Sequence, residues 1–226
     1  MFKSLKLLSI HHHIIQSSLR HYQNLVIDCS FDDVMTSNEC YRLAREIQTI
    51  YYMNSNSNSK FKISICSQQN DGLTIQFLNK LLPLQVTSSS NGSITAMIPP
   101  NFYVIQSSFA SLFPSNSLVY LSPDANDQLE FNHNDVYVVG GVIEKFCFKN
   151  SLVNRWSHDR ASQLGIRSAR FPIDHLMDSR MHKKILFLPQ IFTILSLVSA
   201  NFSWESAVQK AIPQWKLKQK MCSTFY

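Results

Sequence analysis

The chain is short of glycine, with five in 226 residues. None falls into G-x-G-x-x-G or G-x-x-x-x-G-K-[ST], which excludes the Gly-rich phosphate cradles of dinucleotide-binding and P-loop proteins. G-x-S-x-G and H-E-x-x-H are missing as well, removing the hydrolase elbow and the zinc-protease helix. The five cysteines, Cys29, Cys40, Cys66, Cys147 and Cys222, form no Cys-x-x-Cys pair, so neither a disulfide framework nor a structural zinc site is indicated. A reducing intracellular compartment fits this usage. The triplet His11, His12, His13 lacks spaced partners, and no metal is assigned. No apolar run reaches the roughly 18 residues of a spanning helix. The nearest, "ILFLPQIFTILSLVSA", is interrupted by proline and glutamine and reads as a buried core helix, so a soluble protein without membrane contact is expected. The first 23 residues contain no acid, which suits a mitochondrial presequence and a linker alike and leaves nucleus, cytoplasm and mitochondrion open.

What is present is an uneven charge. Residues 1–144 carry 8 Lys/Arg against 11 Asp/Glu, whereas residues 145–226 carry 13 against 4. A basic half on a mildly acidic chain is the pattern of a polyanion-binding face, because each cation that neutralises a phosphate releases a counterion. A solvated basic surface without a partner has the same composition.

Short β-branched and aromatic runs recur: "NLVIDCSF", "FKISICS", "FYVIQSS", "SLVYLSP", "DVYVVGG" and "SARFPID". Between the first two, a Thr/Ser cap followed by Glu39 opens a segment with apolar residues at helical spacing, Leu43, Ile47 and Ile50. The alternation predicts an α/β fold on a mainly parallel sheet. The low-complexity stretches 54–59 and 87–93 read as surface loops. Four runs end in polar or turn-forming residues: Asp28 and Ser30, Ser122-Pro123-Asp124, Gly140-Gly141 with Glu144, and Pro172-Ile173-Asp174. Ligands in open α/β sheets bind outside the carboxyl ends of strands, so the site is expected there. The paired glycines allow close backbone approach and positive φ; an ordinary tight turn is the plainer reading.

Taken in order, "LVIDCSFDDVMTSNE", "EIQTIYYMN", "LVYLSPDANDQLE", "DVYVVGGVIEK", "DRASQLGIRSARFPID", "KKILFLPQIFTIL" and "WESAVQKAIP" resemble the tRNA guanine-9 N1-methyltransferase family, a SPOUT methyltransferase class, over residues 24 to 215. The resemblance implies a SPOUT-type mainly parallel sheet with helices on both faces and a C-terminal deep trefoil knot. Residues 1–23 would be a disordered or targeting segment and 216–226 a basic tail. It also implies S-adenosyl-L-methionine held by three loops, with Leu121, Gly140, Gly141, Lys145, Ser157, Phe171, Pro172 and Leu186 at the cofactor. The family's aspartate, four residues after the first glycine, is replaced here by Glu144, which becomes the general base that takes the N1 proton. Lys149, Arg155, Arg160, Arg167 and Arg170 would contact tRNA phosphates, and Phe146, Phe148 and Trp156 are aromatic candidates for base stacking.

The chain also departs from the family pattern through about five extra residues near 151–155, a serine-asparagine run after Asn54, and no lysine-rich arm. The implied function is methyl transfer to N1 of guanine 9 of tRNA by a monomer. The alternative is a non-catalytic tRNA-binding subunit of a tRNA-processing complex.

Overall fold

The computed structural model describes residues 22–56, 61–66, 72–82, 85–88, 94–98, 101–142, 155–177 and 186–217. Among these residues eight strands form one sheet: β1 Gln23–Asp28, β2 Phe61–Cys66, β3 Gln85–Ser88, β4 Ile94–Ile98, β5 Phe102–Ile105, β6 Leu118–Leu121, β7 Val136–Gly140 and β8 Arg167–Ala169. Their order is β3-β4-β5-β2-β1-β7-β6-β8. The six from β5 to β8 run parallel, and β4 is antiparallel to both β3 and β5. All six expected runs are these parallel strands.

The β3–β4 extension departs from the expectation drawn from the sequence: Thr87 and Ser88, in a stretch that reads as loop, lie in β3. A four-residue Ser/Thr-containing strand has too little alternation to stand out from a polar loop. Its order comes from pairing, such as Thr87 with Thr95.

Among the described residues five α-helices accompany the sheet: α1 Ser37–Asn56, α2 Leu73–Leu81, α3 Trp156–Leu164, α4 Leu188–Ser199 and α5 Trp204–Ala211. Helix α1 starts where its sequence says it should. The Glu39 carboxylate reaches back to accept the Thr36 N–H at 2.7 Å and the Thr36 hydroxyl at 2.6 Å, satisfying donors that a helix N-terminus leaves open. Leu43, Ile47 and Ile50 fall on one face and are buried with Leu25 and Ile27 of β1 and Ile63 and Ile65 of β2. Each fully buried aliphatic side chain there contributes on the order of 1.5–3 kcal/mol.

Helix α4 joins this layer through Phe192, Ile194 and Leu195, and its first amide, Leu188 N–H, donates to Glu46 of α1 at 3.0 Å. The opposite sheet face carries Val26, Tyr120 and Val138, covered by Ala161 of α3. Helices therefore lie on both faces, as expected.

The run after Asn54 is not all loop. Residues 54–56 are the last of α1, and Asn54 is buried, its amide donating to Phe61 O at 2.9 Å and accepting Phe61 N–H at 2.8 Å. Composition marks the stretch as polar; the partner that orders it lies on the next strand.

Candidate functional site

Parallel pairing gathers the expected strand ends. Leu121, last in β6, is in register with Val139 of β7 and Ala169 of β8, while Gly140 is in register with Asp28 of β1. The chain segments leaving β6, β7 and β8 therefore start side by side. Val136 to Val139 are buried and Gly140 is partly exposed, so β7 meets solvent at that end.

Beneath this end sits a buried polar node. Asp28, 2% exposed, accepts the Tyr120 hydroxyl at 3.0 Å and the Ser30 hydroxyl at 2.7 Å, and Arg160 Nε lies 3.5 Å from its Oδ2. A buried carboxylate needs such partners, since leaving it unpaired costs several kcal/mol (about 3–5). Burial, and then the Asp28 charge, pushes the Tyr120 phenol well above its ordinary range, so it stays a proton donor.

The glycine pair sits over the node, for a reason other than a turn. Gly165, the left-handed residue that ends α3, is the positive-φ glycine among the described residues. A Cβ on Gly140 would come within 2.8 Å of Ser157 Oγ and 3.2 Å of the Tyr120 hydroxyl, and one on Gly141 within 2.9 Å of the Asp28 carbonyl oxygen. The Gly141 N–H donates to that same carbonyl at 2.8 Å. Close packing of three strand ends and the start of α3 is what requires glycine here.

The remaining expected cofactor residues take these places. Leu121 is buried at the end of β6, and Ser157 is buried in the first turn of α3 against Gly140. Phe171 is buried, edge-on to Trp204 at 5.7 Å. Pro172 and Leu186 are partly open. Among the described residues the set is apolar or glycine with one hydroxyl, a chemistry that fits an adenosyl group held through main-chain polar groups. Glu144, Lys145, Lys149, Phe146 and Phe148 lie outside the described residues.

The expected phosphate-binding arginines divide. Arg160 faces Asp28. Arg155 donates to Asp124 O at 3.2 Å, and Arg170 donates to Ala125 O at 2.7 Å and to Asn126 O. Arg167 lies at the amino end of β8, away from the other site residues, paired with Asp135 at 2.6 Å and donating to Asn116 O. A cleft of about 450 Å³, lined by residues 130–135 and Arg167, lies at that same amino end and not at the strand carboxyl ends. Trp156 is half-buried with its ring against Phe31 at 6.4 Å.

No local signal in the sequence marks Tyr120, because its partner lies 92 residues away. Cys29, Cys40 and Cys66 are free and buried, and burial pushes the Cys29 and Cys66 thiols up. Among the described residues no cluster of His, Cys, Asp and Glu is arranged to hold a metal ion, and no helix is long and apolar enough to cross a membrane.

A model of the family described as "tRNA (guanine(9)-N(1))-methyltransferase TRM10/TRM10A" matches residues 8–217. The chain is 30% identical over 198 residues to "tRNA methyltransferase 10 homolog B" of Danio rerio, covering 85% of this chain and 58% of that one. It is 28% identical to "Mitochondrial ribonuclease P protein 1 homolog" of Drosophila melanogaster, covering 91% of this chain and 46% of that one. The chain thus spans about half the length of these relatives. A solved structure described as "Crystal structure of spTrm10(Full length)-SAH complex" matches with a TM-score of 0.66 and 25% identity, covering 84% of this chain and 94% of that one.

Proposed function

Because the chain belongs to the tRNA (guanine(9)-N(1))-methyltransferase TRM10/TRM10A family, we propose that it transfers a methyl group from S-adenosyl-L-methionine to N1 of guanine at position 9 of tRNA. The observation that carries this reading is the convergence of the β6, β7 and β8 ends around Gly140, which leaves an apolar, glycine-containing lining there. Leu121, Gly140, Ser157, Phe171, Pro172 and Leu186 line the cofactor site in this reading, and Lys145 is assigned to it from the sequence alone. Gly141 shapes it, its own N–H being committed to Asp28. Bound there, S-adenosylmethionine supplies an electrophilic sulfonium methyl.

The protein's part is positioning and proton removal. N1 of guanine is protonated at neutral pH, and Glu144, after the glycine pair, takes that proton, a general-base contribution on the order of 10²–10⁴-fold. Lys149, with the basic C-terminal half, attracts the tRNA backbone. The passage of residue 170 beside the loop after β6, with Arg170 N–H donating to Asp127 O at 2.9 Å and Leu129 N–H to Arg170 O at 2.8 Å, supports the trefoil knot as part of this reading.

A second reading, a tRNA-binding subunit of a tRNA-processing complex in the mitochondrion, is favoured by the name of the Drosophila relative and by glutamate in place of aspartate at 144. Single-turnover transfer from labelled S-adenosylmethionine to unmodified tRNA bearing G9 separates the two. Transfer that falls at least 100-fold in Glu144→Gln is the expected result (about 10²-fold or more, the size of a lost general base). No transfer despite tight tRNA binding would leave the subunit reading standing.

A further inference from the structure

Three successive main-chain carbonyls after β6 are each taken by an arginine. Arg155 Nη2 donates to Asp124 O at 3.2 Å; Arg170 Nη1 donates to Ala125 O at 2.7 Å and also to Asn126 O. Arg170 Nε lies 3.3 Å from Asp174 Oδ2, so three of its five N–H donors are spent within the chain. Its main chain is held by the same loop, through Asp127 O and Leu129 N–H.

The two arginines stand where the other site segments meet the core. Arg155 immediately precedes α3, at the end of the segment that follows the glycine pair, and Arg170 immediately precedes Phe171 and Pro172. A planar guanidinium can bridge several fixed acceptors at once, whereas an ammonium on a flexible stem acts as a point charge.

Resting on the cofactor reading above, we infer that Arg155 and Arg170 are positioning residues: they lock the loop after β6 to the segments after β7 and β8, and they set cofactor affinity and not tRNA phosphate contact. Carbonyls 124–126 are the common anchor. Were either arginine freed for a phosphate, the loop would lose the bonds that register it against its neighbours.

The test uses the full chain with Arg155→Lys, Arg170→Lys and the corresponding Met variants. Calorimetric binding of S-adenosylhomocysteine is measured beside tRNA binding across a salt series and thermal unfolding. Each Lys variant is expected to bind S-adenosylhomocysteine about tenfold more weakly and, in turnover, to raise KM for S-adenosylmethionine while keeping kcat at saturation. The slope of log affinity for tRNA against log salt stays at the wild-type value in all four variants. Lys variants that bind S-adenosylhomocysteine within about twofold of wild type overturn the inference, as does a Met variant whose salt slope is shallower by about one. Should the Met variants fail to fold, the Lys pair decides alone. A wild-type chain that binds no S-adenosylhomocysteine overturns the cofactor reading together with this inference, a result distinct from variants that match a binding-competent wild type.

Discussion

The Tyr120 hydroxyl passes over Gly140 to reach the Asp28 carboxylate at 3.0 Å, joining β6 to β1 across the intervening strand β7. Tyr120→Phe removes that donor and leaves Asp28 with Ser30 and the Arg160 guanidinium. A hydrogen bond to a charged group contributes about 1.5–3 kcal/mol, so the unfolding free energy should fall by that amount, seen as a lower denaturation midpoint with the m-value unchanged. A midpoint equal to wild type would mean that the bond adds nothing to stability.

Gly140→Ala should cost about 1–3 kcal/mol through overpacking. Its principal clash is with a side-chain oxygen, Ser157 Oγ, so adding Ser157→Ala should recover part of the loss, read as a coupling energy in a double-mutant cycle. Gly141→Ala meets the Asp28 main-chain oxygen instead. No side-chain truncation relieves that contact, and a larger loss without rescue is expected.

Asn54→Ala strands the buried N–H and carbonyl of Phe61 at the start of β2. The expected cost is about 2–3 kcal/mol, because each lost partner leaves a desolvated polar group. Asn54→Asp keeps an acceptor but loses the donor, so an intermediate destabilisation by urea unfolding is expected; a wild-type midpoint in both variants would contradict this role.

Burial pushes the Glu46 carboxyl above its ordinary value, against the opposing pull of the Leu188 N–H and the Arg42 charge. Between the unfolded and the raised folded value, the folded chain binds more protons, so stability falls as pH rises through that window and the penalty persists above it. Glu46→Gln removes the ionisation and retains an oxygen for Leu188. Relative to wild type it should gain stability between about pH 4 and pH 7, measured by urea unfolding of both proteins at each end of that range.

The sequence by itself determined the elements whose causes are local. The Thr36–Glu39 cap and the Leu43, Ile47, Ile50 spacing placed α1, and six β-branched and aromatic runs placed the parallel strands. Periodicity and capping act over three or four residues, so they are visible in a linear string. The β3–β4 pairing, the ordering of Asn54, the reason for the glycine pair and the partners of Arg155, Arg160, Arg167 and Arg170 were decided only in three dimensions. Each depends on a group brought close by strand order, such as Asp28 and Tyr120 at opposite sides of β7, and composition reports a charge or a glycine without reporting what folding sets beside it.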